Sequence, residues 1–191
     1  KEGPVVLRQS LDIEGQFAVG PSDLRTTHLL NDGTQIAFRP IHPTDEPRMR
    51  ELFYALSQET IYYRFMSRQR FFPKKQIQKF VFVNHRTDIA IVATIPESDG
   101  EDIIAVGRYY LDPKTNYAEV AFVVRDDWQN RGLGTFLLDY LCIVAKRNGI
   151  AGLTAEVLRS NRAMQKVFQK SQYKITSMPN QDVFSFQIDF T

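Results

Sequence analysis

The chain has 191 residues, of which 43% are apolar and 24% charged, and its formal net charge is +2. This is ordinary for one globular domain with a substantial core, and so small a net charge argues against nucleic acid or a membrane as a partner. The single cysteine, Cys142, excludes an intramolecular disulfide, and no apolar run is long enough to span a membrane. We therefore expect a cytoplasmic protein in a reducing environment.

The first part of the chain has no strong hydrophobic period and is interrupted by Gly15, Gly20 and Pro21. We expect residues 1–32 to form an arm or linker, with a short strand at 5–7, and residues 33–191 to form the folded domain. The chain starts at Lys1 rather than at a methionine, which is expected of a fragment or of the C-terminal module of a longer protein.

From residue 34 onward, strand-like and helix-like patterns follow one another. Three of the predicted strands are consecutive and should form an antiparallel meander, so the order predicts a mixed α/β fold with a central sheet. The predicted strands are 34–39, 88–95, 103–111, 116–124, 153–158, 173–178 and 183–190, and the predicted helices are 44–56 (N-capped by Thr44), 58–65, 74–83, 136–147 and 161–170.

A glycine-containing loop joins the strand at 116–124 to the next helix. Its residues Gly132 and Gly134 can adopt positive φ and let the backbone approach a ligand closely. The first N–H groups of the helix have no intrahelical partners, and Arg131 adds a positive charge, so the loop suits a phosphate. The spacing differs from that of a P-loop and of a dinucleotide fingerprint. Taken alone, the loop could also be a plain strand-to-helix turn.

Glu119 is the one carboxylate inside the apolar strand before this loop. By strand alternation it shares a face with Tyr117, Ala121 and Val123. We expect it to be partly buried and to act as a general base, and the alternative is a solvated glutamate on an exposed face.

The pattern Q-x-x-G-x-G at residues 129–134, followed by N-R-A-M-Q-K-V-F at 161–168, resembles the GNAT superfamily of acyl-CoA-dependent N-acyltransferases. The likeness covers residues 34–190. It implies the GNAT fold, a mixed α/β fold with a mostly antiparallel central sheet that is splayed at the acyl-CoA site and has helices on both faces. The segments L-N-D-G-T (30–34), R-P-I (39–41), Y-R-F (63–65) and A-E-V-A-F-V-V (118–124) are similar to the GNAT domain of bacterial Pat-type protein lysine acetyltransferases.

The resemblance implies roles for individual residues, with acetyl-CoA as the co-substrate. Glu119 would be the general base, and the backbone N–H of Val123 would bind the developing oxyanion. Many family members have a tyrosine as general acid where this chain has Phe168. The implied acyl-CoA contacts are Val123 through the same N–H, the backbone groups of Val124 and Arg125 for pantetheine, then Gln129, Asn130, Arg131, Gly132, Leu133, Gly134 and Thr135 for the pyrophosphate, and Asn161 for the pantetheine arm.

The sequence thus predicts an enzyme that acetylates a lysine amine of a protein, such as an acyl-CoA synthetase. Two alternatives remain open, a small-molecule amine N-acetyltransferase and a non-catalytic acyl-CoA sensor. Pat-type domains often accompany a CoA-ligase or CoA-transferase-like domain, so fusion to such a domain is expected. His28, His42 and His85 have no metal-ligand spacing, and no metal site is predicted.

Overall fold

The computed structural model describes residues 24–85 and 87–190. Within these ranges the chain forms one sheet of eight strands and five α-helices. The strands are β1 (Thr26–Leu29), β2 (Gln35–Pro40), β3 (Asp88–Glu97), β4 (Gly100–Asp112), β5 (Tyr117–Val124), β6 (Gly152–Leu158), β7 (Ile175–Asn180) and β8 (Val183–Asp189), and the helices are α1 (Glu46–Ala55), α2 (Gln58–Phe65), α3 (Lys74–Val81), α4 (Leu133–Arg147) and α5 (Arg162–Gln169).

The strands lie in the order β1-β2-β3-β4-β5-β6-β8-β7. Neighbouring strands are antiparallel except for β5 and β6, which are parallel because the connection through α4 crosses over the sheet. The sheet is therefore mostly antiparallel, as predicted.

Helices cover both faces of the sheet, and each face has its own core. Side chains of β5 alternate between the two cores: Phe122 packs in the cluster with α4 and α5, and Val123 packs in the cluster with α1, α2 and α3. The apolar residues that recur along α4 face the first of these cores, where Leu137, Leu141 and Val144 are fully buried. This arrangement places β5 in the middle of the molecule, between two layers of helices.

The start of α1 differs from the prediction. A single 3₁₀ turn, Pro43–Asp45, precedes the helix, so Asp45 rather than Thr44 is the N-cap residue. The buried Asp45 carboxylate accepts hydrogen bonds from both Arg39 Nη atoms (2.7 and 2.8 Å) and from the backbone N–H of His42 (2.8 Å). The Asp45 side chain does not cap α1, and its ion pair with Arg39 on β2 ties the start of α1 to the sheet.

The structure describes the end of the expected arm, from residue 24 onward. β1 pairs with β2 from Thr26 to Leu29, and Leu24 and Leu30 are buried in the core. Residues 24–32 therefore belong to the folded sheet, because their apolar side chains complete its core, whereas the short strand expected at 5–7 lies outside the described residues. None of the helices in residues 24–85 and 87–190 combines the length and apolarity needed to cross a membrane.

Candidate functional site

The sheet opens between β5 and β6. Their parallel ladder covers three residue pairs and ends where Glu119 lies opposite Thr154. Beyond that point β5 continues against β4 and β6 continues against β8, so the two strands separate while each keeps its other neighbour. The facing edges of the strands consequently carry backbone N–H and C=O groups that no strand pairing uses.

Two cavities meet at this opening. The larger cavity, of about 560 Å³, lies on the side of the glycine loop and the starts of α4 and α5. The smaller cavity, of about 260 Å³, contains Glu119 and Glu156. The residues that line both cavities, and so mark the passage between them, are Tyr63, Arg64, Phe122, Asn161 and Met164.

The loop at the larger cavity is shaped by two residues with positive φ. Asn130 has a φ of 61° and Gly132 a φ of 89°, and no atom lies within 4 Å of the position that a Cβ of Gly132 would occupy. Successive left-handed turns of this kind make a backbone concavity that suits an anion. The first turn of α4 follows directly, without a side-chain cap or an acidic residue, so its N–H groups are left to face the same region. The loop geometry therefore suits an anion, and phosphate binding by this loop stays a prediction.

Gly134 differs from Gly132 in that its role is in helix packing. A Cβ on Gly134 would lie 3.2 Å from Cγ2 of Val167 on α5, so this glycine lets α4 and α5 approach each other. Gly132 thus shapes the loop, and Gly134 sets the distance between the two helices.

The Gln129 side chain holds the loop to β5 and to α2 by hydrogen bonds. Its Nε2 donates to the carbonyl oxygen of Val124 (2.9 Å) and to Oγ1 of Thr60 (3.1 Å). Close by, the Asp126 carboxylate accepts hydrogen bonds from Ser57 N (2.9 Å) and Oγ (2.6 Å) and from Thr60 Oγ1 (2.9 Å). Burial opposes ionisation of Asp126, but these hydrogen bonds outweigh it and hold its pKa below the usual value. The start of α2 is therefore tied to the loop that follows β5.

The structure places most of the predicted acyl-CoA residues on the larger cavity, but not the two arginines. Arg125 is paired with Asp102 (2.6 Å) and with Asp127 (2.7 Å), and these carboxylates raise its pKa, Asp127 most of all. Arg131 is exposed, with its guanidinium 4.5 Å from the ring centre of Trp128. The predicted residues that do line this cavity are Val123, Val124, Gln129, Asn130, Gly132, Leu133, Gly134, Thr135 and Asn161.

Positive charge enters the larger cavity from α5 instead. Arg162, Lys166 and Lys170 all line it and recur every four residues along one face of the helix. Like charges at this spacing repel each other, so the row weakens the helix unless an anion lies against it. That i, i+4, i+8 spacing was visible in the sequence but was not used in the prediction.

Asn161 caps the same helix. Its Oδ1 accepts a hydrogen bond from Met164 N (3.2 Å), and the residue is 8% exposed while contributing to both cavities. The predicted contact residue therefore also fixes where α5 begins.

Glu119 lies on the face of β5 that is covered by α1 to α3, but it is exposed rather than partly buried. Its side chain lines the smaller cavity, which leaves this part of the strand face open to solvent. Its cross-strand partner on β4 is Tyr110. Burial lowers the pKa of the neighbouring Arg64, and the Glu119 carboxylate acts in the opposite direction. The carboxylate is thus accessible from solvent through the smaller cavity.

Phe168, at the position where many GNAT enzymes have a tyrosine, is 1% exposed. Its ring stacks on Phe186 with 4.9 Å between the ring centres. A phenyl ring has no proton to donate. Of the residues that line both cavities, Tyr63 carries a hydroxyl group, and this group donates a hydrogen bond to the carbonyl oxygen of Ser160 (3.1 Å). In residues 24–85 and 87–190 no group of three or more His, Cys, Asp or Glu side chains is arranged to hold a metal ion.

Comparison with known proteins agrees with this geometry. Residues 49–173 match the profile of the acetyltransferase (GNAT) family. An acetyltransferase of Pseudomonas aeruginosa is 27% identical over 136 residues, which cover 71% of this chain and 73% of that protein. The acetyltransferase Pat of Mycolicibacterium smegmatis is 32% identical over 139 residues, which cover 72% of this chain but 41% of that protein.

Solved structures show the same likeness. The GNAT domain of S. lividans PAT has a TM-score of 0.81 and 30% identity, with 90% of this chain and 99% of that one covered. A cAMP-binding acyltransferase from Mycobacterium smegmatis has a TM-score of 0.60 and 27% identity, with 87% of this chain and 47% of that one covered. The chain thus spans less than half the length of two of these four relatives.

Proposed function

The chain belongs to the acetyltransferase (GNAT) family and is an acyl-CoA-dependent N-acyltransferase, and we propose that it transfers an acetyl group from acetyl-CoA to a lysine amine on a protein. The observation that carries this proposal is the position of Glu119 at the last residue pair before β5 and β6 separate, beside the passage between the two cavities. Acetyl-CoA would approach from the larger cavity and the amine from the smaller one.

The larger cavity fits acyl-CoA in both shape and charge. The backbone concavity at Asn130 and Gly132, with the first turn of α4, would hold the pyrophosphate. The cationic side chains of Arg162, Lys166 and Lys170 would balance its negative charge. The free edge of β5 would pair with the amide groups of pantetheine, as a peptide strand pairs with a sheet edge.

The oxyanion donor follows from the direction of the backbone groups of β5. The N–H of Arg125 donates to the carbonyl oxygen of Ile104 on β4 (2.8 Å), and the register between β4 and β5 is unbroken. Alternate residues of a strand point their N–H groups to opposite neighbours, so Val123, like Arg125, points its N–H at β4. Val124 points towards the opening. We therefore assign the oxyanion contact to Val124 N–H, in place of the Val123 N–H expected from the sequence.

The chemistry needs a base because a lysine amine, with a pKa of ~10.4, is mostly protonated at neutral pH. Glu119 would accept the proton from the ammonium group, directly or through one water. The amine nitrogen then bonds to the thioester carbonyl carbon, and the carbon–sulfur bond breaks as the intermediate collapses to the amide. The second proton of the nitrogen passes to the leaving thiolate, directly or through water, and gives the free thiol. Phe168 supplies no proton, and a thiolate is a good enough leaving group to depart without an acid on α5. Glu156, a second carboxylate on the smaller cavity, adds negative charge that suits a cationic amine.

Exposure of Glu119 favours an acceptor carried on a protein. A lysine side chain projecting from a protein surface can reach an exposed carboxylate at the mouth of a cavity, whereas a small amine is best retained by an enclosed pocket. The acceptor expected from the resemblance to Pat-type domains is a metabolic enzyme such as an acyl-CoA synthetase. A small-molecule amine remains the second candidate, because the fold does not fix the acceptor.

The decisive experiment gives the intact chain acetyl-CoA and two sets of acceptors in parallel, purified acyl-CoA synthetases and a panel of free amines. Mass spectrometry should find one or a few acetylated lysines on a protein, with a larger kcat/KM than for any free amine. Faster turnover of a small amine would select the second candidate. Binding of acetyl-CoA without any turnover would identify a sensor.

A further inference from the structure

The charges of this chain are unevenly distributed. Residues 60–87, here called the basic segment, contain seven Lys or Arg and no Asp or Glu. The chain as a whole has 24 Lys and Arg against 22 Asp and Glu, so outside this segment 17 cations face 22 acids. A nearly neutral protein therefore has one strongly basic region, formed by α2, α3 and the residues between and after them.

The basic segment borders the smaller cavity. Arg64, Phe65 and Met66, at the end of α2, line that cavity together with Glu119. The Arg64 guanidinium also lies 5.7 Å from the ring centre of Phe80 on α3. α3 therefore packs next to the part of α2 that lines the smaller cavity.

The described cations of the segment have no carboxylate within ion-pair distance in residues 24–85 and 87–190, although Glu119 acts on Arg64 from further away. Among the described residues, Arg64, Arg68, Arg70, Lys74, Lys75 and Lys79 form no ion pair. Lys74 and Lys75 are exposed in the first turn of α3, which has no acidic residue and no side-chain cap. A helix dipole disfavours cations at this end, so their position weakens the helix and indicates a role outside its own folding.

Apolar side chains are exposed in the same segment. Phe71 is 70% exposed, Phe82 65%, Met66 39% and Tyr62 37%. Arginine, aromatic residues and methionine are the types enriched at protein interfaces. A polyanionic nucleic acid fits less well, because Glu119 and Glu156 place negative charge in the adjoining cavity.

We propose that the basic segment is the docking surface for the acceptor protein and that it recognises an acidic patch beside the target lysine. The inference rests on the proposed protein-lysine acceptor and specifies its recognition. The cations draw the acidic patch to α2 and α3, and the neighbouring lysine then lies at the mouth of the smaller cavity, in front of Glu119. Specificity thus comes from the charges around the lysine as well as from the cavity itself.

The test compares three acceptors with the intact chain and acetyl-CoA: a lysine peptide flanked by Glu and Asp, the same peptide with Gln and Ser in their place, and a free alkylamine. The wild type should prefer the acid-flanked peptide. In the separate double variants Lys74→Glu/Lys75→Glu and Arg68→Glu/Arg70→Glu, kcat/KM for this peptide should fall by about 10-fold or more at low salt, through KM, in line with the loss of electrostatic steering. The difference between variant and wild type should shrink at high salt.

The matched control is Lys114→Glu/Lys174→Glu, which makes the same charge change outside the basic segment and away from both cavities. This control should keep the wild-type preference, and all variants should keep the wild-type affinity for acetyl-CoA and the wild-type rate with the alkylamine. An equal preference for the acid-flanked peptide in the wild type and in both segment variants would overturn the inference. Binding of an RNA oligonucleotide to the segment, together with no discrimination between the two peptides by the wild type, would also overturn it. Failure of the wild type to bind acetyl-CoA would instead overturn the proposed function.

Discussion

Glu119 lies opposite Thr154 in the last pair of the parallel ladder between β5 and β6. One residue further along, the strands have separated and both edges are free of strand pairing. The proposed base therefore lies at a position where β5 is paired with a strand on each side, while its side chain faces an opening. A base that is held rigidly next to an opening suits a reaction in which two substrates arrive from opposite sides.

The first prediction concerns the loop. Gly132→Ala forces an alanine into a φ of 89°, which costs about 1–2 kcal/mol unless the loop changes its conformation. Because no atom lies near the added Cβ, the change should affect acyl-CoA more than folding. Calorimetric titration should show weaker binding of acetyl-CoA, with a small change in Tm. Wild-type affinity in this variant would show that the concavity at Gly132 does not hold the pyrophosphate.

The second prediction concerns Gln129. Its amide donates two hydrogen bonds, to Val124 O and to Thr60 Oγ1, and each contributes about 1 kcal/mol. Gln129→Ala should therefore release the loop and weaken acetyl-CoA binding about 10-fold or more, although the side chain need not touch the ligand. Gln187→Ala, which removes an exposed amide that bonds Asp189, is the control and should bind acetyl-CoA normally. If both variants bind as the wild type does, the bonds from Gln129 are not needed for loop geometry.

The third prediction concerns stability against acid. Asp45 is 2% exposed and bonded to Arg39. Burial opposes its ionisation, but the hydrogen bonds from Arg39 and His42 hold its pKa below the ordinary 3.8. The stabilisation is therefore fully present above that pH and is lost as the pH falls through the folded-state pKa. Asp45→Asn should lower stability at pH 7 by roughly 3 kcal/mol and should flatten the fall of Tm below pH 4.

The control for Asp45 is the pair between Glu46 and Arg50 on the surface of α1. Glu46→Gln should cost no more than about 0.5 kcal/mol, since a solvent-screened i, i+4 pair contributes little. Equal losses of stability in Asp45→Asn and Glu46→Gln, measured by urea unfolding at pH 7, would contradict the distinction between buried and exposed pairs.

Much of the fold followed from local pattern. The bounds of α2 agree with the prediction, and those of α4 and β5 agree within a few residues, because their apolar periods and caps are local signals. Gly132 has the positive φ that its residue type allows, whereas Gly134 lies in the first turn of α4 without a positive φ.

The rest of the site depended on partners that are distant in sequence. The Arg125 side chain, for example, is paired with Asp102, 23 residues earlier. The choice between Val123 and Val124 as oxyanion donor depends on the register of β5 against β4, which no local pattern specifies. Glu119 is exposed on the wall of the smaller cavity, which residues of α2, β6 and α5 complete, and their arrangement is a property of the whole fold.

The measurement that tests the account most directly is turnover by Glu119→Gln, which keeps the shape of the side chain and removes its ability to accept a proton. Acetyl-CoA affinity should stay near the wild-type value, because in the proposed binding mode the loop and strand backbone, and not Glu119, hold the cofactor, while kcat should drop by about 10²–10⁴-fold at neutral pH. A higher pH should partly restore the rate, since more of the lysine amine is then neutral. Wild-type turnover by Glu119→Gln at neutral pH, with a folded variant and a verified substitution, would remove Glu119 from the mechanism.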